Sequence, residues 1–171
     1  MLYEDIFISL NKRKVRYLVV GDIALMLHGV VKLNADLDLM VNLEDNNLAR
    51  FISAMKGLSY RQRVPVKPEE FVDPLKRETW EKEKGVRVFS FYDLKKPMGL
   101  VDVFVDGPIE YEKLERDRIK IKTGGITIPV ISKKHLIQLK KMSGRPQDIA
   151  DIKALKELMK LEKKGISIEK H

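Results

Sequence analysis

Hydrophobic positions along the chain change period several times, and each change marks an element. Tyr3, Ile6, Phe7 and Leu10 recur at helical spacing, and Asn11 with the basic residues after it closes that helix. Residues 15–20, apolar except for Arg16, read as a buried strand ended by Gly21. Residues 22–28 follow as a short helix, with Asp22 as its N-terminal cap and Gly29 at its end. Residues 34–41 are a second strand, and Asp45 or Asn46 caps a helix whose stripe is Leu48, Phe51, Ile52, Met55 and Leu58. The pattern weakens over 60–85, where Pro65, Pro68 and Pro74 allow one or two irregular helical turns within 69–82 and point to mobility.

Periodicity returns in residues 86–92 and 100–106, which alternate like neighbouring strands joined by a turn at Lys96-Pro97-Met98-Gly99. A polar helix over 109–118 precedes a small hairpin, 119–122 and 126–131, split by Gly124-Gly125. Ser132 caps a helix to Met142, and a last helix runs from Pro146 to about Lys163. On that helix Ile149, Ile152, Leu155, Leu158 and Met159 are expected on one apolar face. Asp148 and Asp151 suit its N-terminal dipole. The sum is an α/β (α+β) domain, a mixed β-sheet flanked by helices with a helical C-terminal third, about 132–163, all within one domain spanning 1–171.

Two aspartates interrupt the second strand. Asp36 and Asp38 are two residues apart, so in a strand they share a face, and two like charges held there call for a cation. A hard divalent ion such as Mg²⁺ takes oxygen ligands of this kind. Asp102, the one acid in Leu100-Val101-Asp102-Val103-Phe104-Val105, is a third candidate. Three such carboxylates could hold two ions ~3.5–4 Å apart, the arrangement used for in-line displacement at phosphorus. Asp106 shares a face with Asp102 but sits against Gly107-Pro108 and reads as a turn former.

Composition narrows the picture. The absence of cysteine excludes disulfides, thiolate metal sites and cysteine nucleophiles, and fits a reducing cytoplasm. The first residues lack a secretory signal and no segment reaches the ~20 apolar residues of a membrane span, so a soluble, cytoplasmic protein is expected. The net charge of +8 would suit an anionic partner such as nucleic acid, but no aromatic side chains interleave the lysines of residues 133–164. They read as a solvated helical face, and the 34% of charged residues also suits a heat-adapted surface. Histidines offer no metal cluster, since His28 reads as a helix-end packing residue, His135 sits on a lysine-rich helix and His171 is the last residue.

Written as a pattern, residues 21–38 read G-D-x-A-x(4)-G-x-x-K-x-N-x-D-x-D. This resembles the signature of the nucleotidyltransferase superfamily, the fold shared by DNA polymerase beta, antibiotic nucleotidyltransferases and minimal nucleotidyltransferases. Members carry a Gly-Gly or Gly-Ser turn, a downstream glycine, a basic residue, an Asp-x-Asp strand and a third aspartate on a later strand. Asp36, Asp38 and Asp102 match those acids in order. The stretch Ser143-Gly144-Arg145-Pro146-Gln147-Asp148-Ile149-Ala150-Asp151 resembles the closing helix of the AbiEii-like, toxin–antitoxin-associated branch.

The resemblance implies transfer of a nucleoside monophosphate from a nucleoside triphosphate to an acceptor hydroxyl of a small molecule, protein or RNA, with release of pyrophosphate. It implies that Asp36 and Asp38 hold two Mg²⁺ ions, with Mn²⁺ as the alternative, and that Asp102 binds the ion at the acceptor and takes its proton. Gly21, Asp22, Lys32 and Asn34 would lie along the nucleotide. The chain departs from the signature at Asp22, where glycine or serine is usual, at Lys32 for arginine, and at Asn34 for threonine or serine. Asp22 places a negative charge where phosphates are expected. It supports an alternative, a catalytically degenerate member acting as an antitoxin-like binding partner. A domain of this length leaves little room for acceptor binding, so a protein partner or second subunit is expected to complete the cleft.

Overall fold

The computed structural model describes residues 3–33, 35–63, 67–84, 88–95, 99–104 and 107–165. Asn34, Asp106, His171 and the turn at 96–98 lie outside the described residues.

Seven strands form one mixed sheet: β1 (Tyr17–Val20), β2 (Leu37–Val41), β3 (Tyr60–Gln62), β4 (Val88–Asp93), β5 (Leu100–Phe104), β6 (Ile119–Thr123) and β7 (Ile126–Val130). Their order across the sheet is β3-β4-β5-β2-β1-β7-β6. The β1–β7 and β2–β5 pairs are parallel and the others antiparallel. All four residues of β1 are buried, as expected of a central strand covered on both faces. The edge strand β6 alternates half-buried and exposed positions, and the 119–131 hairpin turns at Gly124-Gly125 as its sequence predicts.

The helices are α1 (Glu4–Lys12), α2 (Gly21–His28), α3 (Asp45–Gly57), α4 (Pro74–Lys84), α5 (Tyr111–Arg116), α6 (Lys133–Ser143) and α7 (Pro146–Lys163), with a 3-10 turn at Pro68–Val72. The stripes of α1 (Ile6, Phe7, Leu10) and α3 (Leu48, Phe51, Ile52, Met55) are buried, and these helices pack on each other. Phe51, Phe71, Phe89 and Phe91 continue that core beneath β4. No described helix is long and apolar enough to cross a membrane.

Several local expectations are corrected. The proline-rich region carries α4, an eleven-residue helix beginning at Pro74, because proline at a first helical position costs no hydrogen bond. The acid-bearing strand begins at Leu37, so Asp36 lies just outside it. Asp22 is not a cap, since α2 already starts at Gly21 with Val20 as its N-cap. The cap of α3 is Glu44 rather than Asp45 or Asn46. On α7, Ile149 is 71% exposed, whereas Asp148, Asp151 and Leu155 are buried. Ser132 does cap α6, its hydroxyl accepting the His135 N–H at 3.2 Å.

Candidate active site

The candidate site sits where β1 hands over to α2, above the first residues of β2 and β5. Parallel pairing sets Leu37 opposite Val101, Asp38 opposite Asp102 and Leu39 opposite Val103. Leu37, Leu39, Val101 and Val103 are fully buried on one face, which places Asp38 and Asp102 side by side on the other. The same row continues to Ser90 on β4 and to Val20 on β1. Two acids from separate parts of the chain therefore meet on one face.

Asp36 precedes the strand and is exposed, yet it belongs to the same neighbourhood. One of its oxygens, Oδ1, accepts the Leu100 N–H at 3.4 Å, which ties it to the start of β5. Tyr3 reinforces this junction, its hydroxyl donating to the carbonyls of Ala35 at 3.2 Å and Leu100 at 3.4 Å. Burial, with Asp36 nearby, pushes the Tyr3 phenol up to about 12, so it stays a donor at neutral pH. Ser90 Oγ donates to Asp102 Oδ1 at 2.6 Å.

Gly21 is built into the site by necessity. Its φ of +67° lies in the left-handed region, and a Cβ there would stand 2.1 Å from Asp38 Oδ2. The backbone thus approaches the carboxylate to a distance only glycine permits.

Burial, followed by the charges of Asp102, Asp22 and Asp36, raises the Asp38 carboxyl to about 7, and Lys140 offsets the smallest part. Asp102 is raised as well, chiefly by burial, with the Ser90 hydrogen bond and the Arg63 charge opposing it and Asp36 adding to it. The acids of the site are only partly compensated, by Lys140 at Asp38 and by Ser90 and Arg63 at Asp102, a setting that suits a hard cation. Among the described residues, no three acidic or histidine side chains stand close enough to hold a metal ion together. Asp36 and Asp102 each commit Oδ1 to a hydrogen bond, leaving Oδ2 of each outside those bonds. The carboxylate oxygens of Asp38 and Asp102, adjacent by strand register, are of the kind Mg²⁺ or Mn²⁺ takes, whereas Asp36 does not close a three-acid metal group with them.

A second group of charges adjoins the first. Lys32 Nζ lies 2.9 Å from Asp151 Oδ1, and Lys140 Nζ lies 2.9 Å from Asp151 Oδ2 and 3.5 Å from Asp148 Oδ1. Asp22 reaches this group from α2, 3.6 Å from Lys140 and 4.0 Å from Lys32. Arg145 pairs with Asp148, whose carboxylate also accepts the Arg145 N–H at 3.0 Å. Lys140 corrects the expectation of a uniformly solvated lysine face. It is 5% exposed, while Lys134, Lys141, Lys153 and Lys156 are exposed as predicted. His28 is a packing residue, its Nε2 2.7 Å from the Ile131 carbonyl.

Sequence reasoning missed Lys140, Ser90 and Tyr3 as parts of this region. Ser90 carried a weak signal, a small polar residue amid the aromatics of β4. Nothing local marked Lys140 among its neighbouring lysines.

No family model matches the chain, and no curated protein matches it by sequence. Solved structures do resemble it. A Thermotoga maritima protein assigned as a nucleotidyltransferase superposes with a TM-score of 0.56 at 15% identity, covering 93% of this chain and 91% of the other. ANT(2'')-Ia, solved with adenylyl-2''-tobramycin, gives 0.60 at 13% identity, covering 95% and 90%. The lincosamide antibiotic adenylyltransferase LnuA, bound to lincomycin, gives 0.55 at 16% identity, covering 87% and 90%. At such identities the likeness is one of architecture, and the architecture of this chain is the nucleotidyltransferase fold.

Proposed function

We propose that the protein is a divalent-metal-dependent nucleotidyltransferase that moves a nucleoside monophosphate from a nucleoside triphosphate to an acceptor hydroxyl. The observation that carries this reading is the register of Asp38 with Asp102 beside a glycine-led helix. The three solved structures support it by fold, and two of them were solved with an antibiotic or its adenylylated form.

Asp36, Asp38 and Asp102 would hold the ions, which would supply charge stabilisation at the phosphates and acidify the acceptor hydroxyl. The acceptor oxygen bonds to the α-phosphorus as the bond to pyrophosphate breaks. Asp102, its carboxyl raised and its position set by Ser90, takes the proton. Backbone N–H groups at the start of α2 face the triphosphate, where a helix N-terminus favours anions. Gly21 and Lys32 line this approach, and Asn34 is assigned to it from the motif alone. Assignment to the AbiEii-like branch rests on the resemblance of the 143–151 stretch alone.

The decisive experiment incubates the protein with each α-labelled triphosphate, Mg²⁺ and candidate acceptors, comparing it with Asp36→Asn. Label transfer by the parent and a loss of at least a hundredfold in Asp36→Asn are expected. Absence of transfer, together with no rise in melting temperature on adding any triphosphate with Mg²⁺, would overturn the reading. It would favour the second one, a degenerate binding partner, which rests on Asp22.

A further inference from the structure

Asp22 occupies the first turn of α2, and its carboxylate faces the two lysines that border the candidate site. Lys32 and Lys140 meet three carboxylates, and the three are not equivalent. Asp148 and Asp151 keep only 1% and 7% of their side chains exposed, whereas Asp22 keeps 40%. Asp151 approaches both amines to 2.9 Å and Asp148 approaches Lys140 to 3.5 Å, while Asp22 stands at 3.6 and 4.0 Å. Asp22 is thus both the most distant and the most exposed of the three. Asp148 and Asp151 anchor α7 to its surroundings, and Asp22 is a surplus anion loosely set against amines already matched. Of the three carboxylates, Asp22 is the one whose exposure lets water compete for its ion pairs.

The same place has the makings of a phosphate subsite. Two ammonium groups stand there beside the opening turn of an eight-residue helix, whose first N–H groups have no intrahelical acceptor. A phosphate group arriving there would meet Asp22 first.

We infer that Asp22 is a resident anion, occupying with its own carboxylate the lysine pair that a phosphate group of the nucleotide would take, and so holding down the affinity of this site for polyphosphates. The assignment of the place as a nucleotide subsite rests on the proposed function, whereas the competition between Asp22 and a polyphosphate is measurable without turnover. Asp22 then acts on selectivity. It disfavours free polyphosphates and leaves affinity to depend on the ions held by Asp36, Asp38 and Asp102.

The test is calorimetric titration of the full chain with sodium tripolyphosphate, without divalent ions and again with Mg²⁺. In the metal-free titration Asp22→Ser is expected to bind at least tenfold more tightly than the parent, and Asp22→Asn, which keeps the side-chain volume, should follow it. Adding Lys32→Gln to Asp22→Ser should abolish the gain. Equal or weaker metal-free binding by both Asp22 variants, including the case where neither binds, overturns the inference. So does a loss confined to the Mg²⁺ titration, which would make Asp22 a metal ligand. Label transfer separates the two readings: a gain in Asp22→Ser without transfer by the parent keeps this inference and ends the enzyme reading, and transfer without the gain does the reverse.

Discussion

Two groups of acids lie side by side in this molecule, and they are treated in opposite ways. Asp148 and Asp151, on α7, are closed off from solvent, yet both carboxyls are held below the ordinary carboxylate range. Burial pushes them up, but hydrogen bonds from Arg145 to Asp148, and from Lys32 and Lys140 to Asp151, outweigh it. Asp38 and Asp102, at the sheet end, are raised, because burial is joined there by other carboxylates. One group has cations in direct contact, whereas in the other Lys140 and Arg63 act only through longer-range charge and do not offset burial. Matched acids hold a helix in place, and unmatched acids await a ligand.

The contrast can be broken most forcefully at Asp151. Asp151→Ala leaves Lys32 and Lys140 without their nearest partner and should cost about 3–5 kcal/mol in urea unfolding at pH 7. Because the folded pKa is depressed, that stabilisation is present above the unfolded carboxylate pKa and lost as the pH falls through the folded one. The cost should therefore shrink below about pH 4. A cost under about 1 kcal/mol at pH 7 would remove the distinction between the groups.

Gly21→Ala comes next, at about 2–3 kcal/mol, since it combines a left-handed φ with a direct clash on Asp38. The Asp38 titration, followed by NMR, should move as well.

Asp38→Asn runs the other way. The folded carboxyl titrates at about 7, above its unfolded value, so its charged form is penalised and stability falls as pH rises between about 4 and 7. The variant should be stabilised by roughly 1–3 kcal/mol at pH 8 and little changed at pH 4. Destabilisation at pH 8 would show that the Asp38 charge is already compensated.

Ser90→Ala is the mildest, about 1 kcal/mol or less, and should raise the Asp102 pKa further by removing a donor to its charged form. An unmoved Asp102 titration would reassign that hydrogen bond to a purely structural role.

Much of this was legible in the chain because secondary structure is a local affair. The stripes of α1 and α3, the hairpin at Gly124-Gly125, the Ser132 cap and the alternation of β4 and β5 follow from period and turn chemistry. Asp36, Asp38 and Asp102 stood out as acids in apolar surroundings. The extent of α4 was not legible, because a run of charges with prolines before it reads equally as loop or helix. The face of α7 was misjudged for a related reason. Hydrophobic spacing favours burying Ile149, but the lysines arriving from outside that helix make Asp148 and Asp151 the buried residues instead.

The sequence by itself determined the place of most helices and strands, though not of β3 or the extent of α4, and that Asp38 and Asp102 are acids within otherwise apolar stretches, since these depend only on neighbours along the chain. Tertiary structure alone decided that β2 and β5 pair in parallel with those two acids in register, and that Lys32 and Lys140 serve Asp148 and Asp151 instead. A carboxylate's charge is settled by what lies a few ångströms away in space, and those partners come from residues as far as 119 positions apart in the chain.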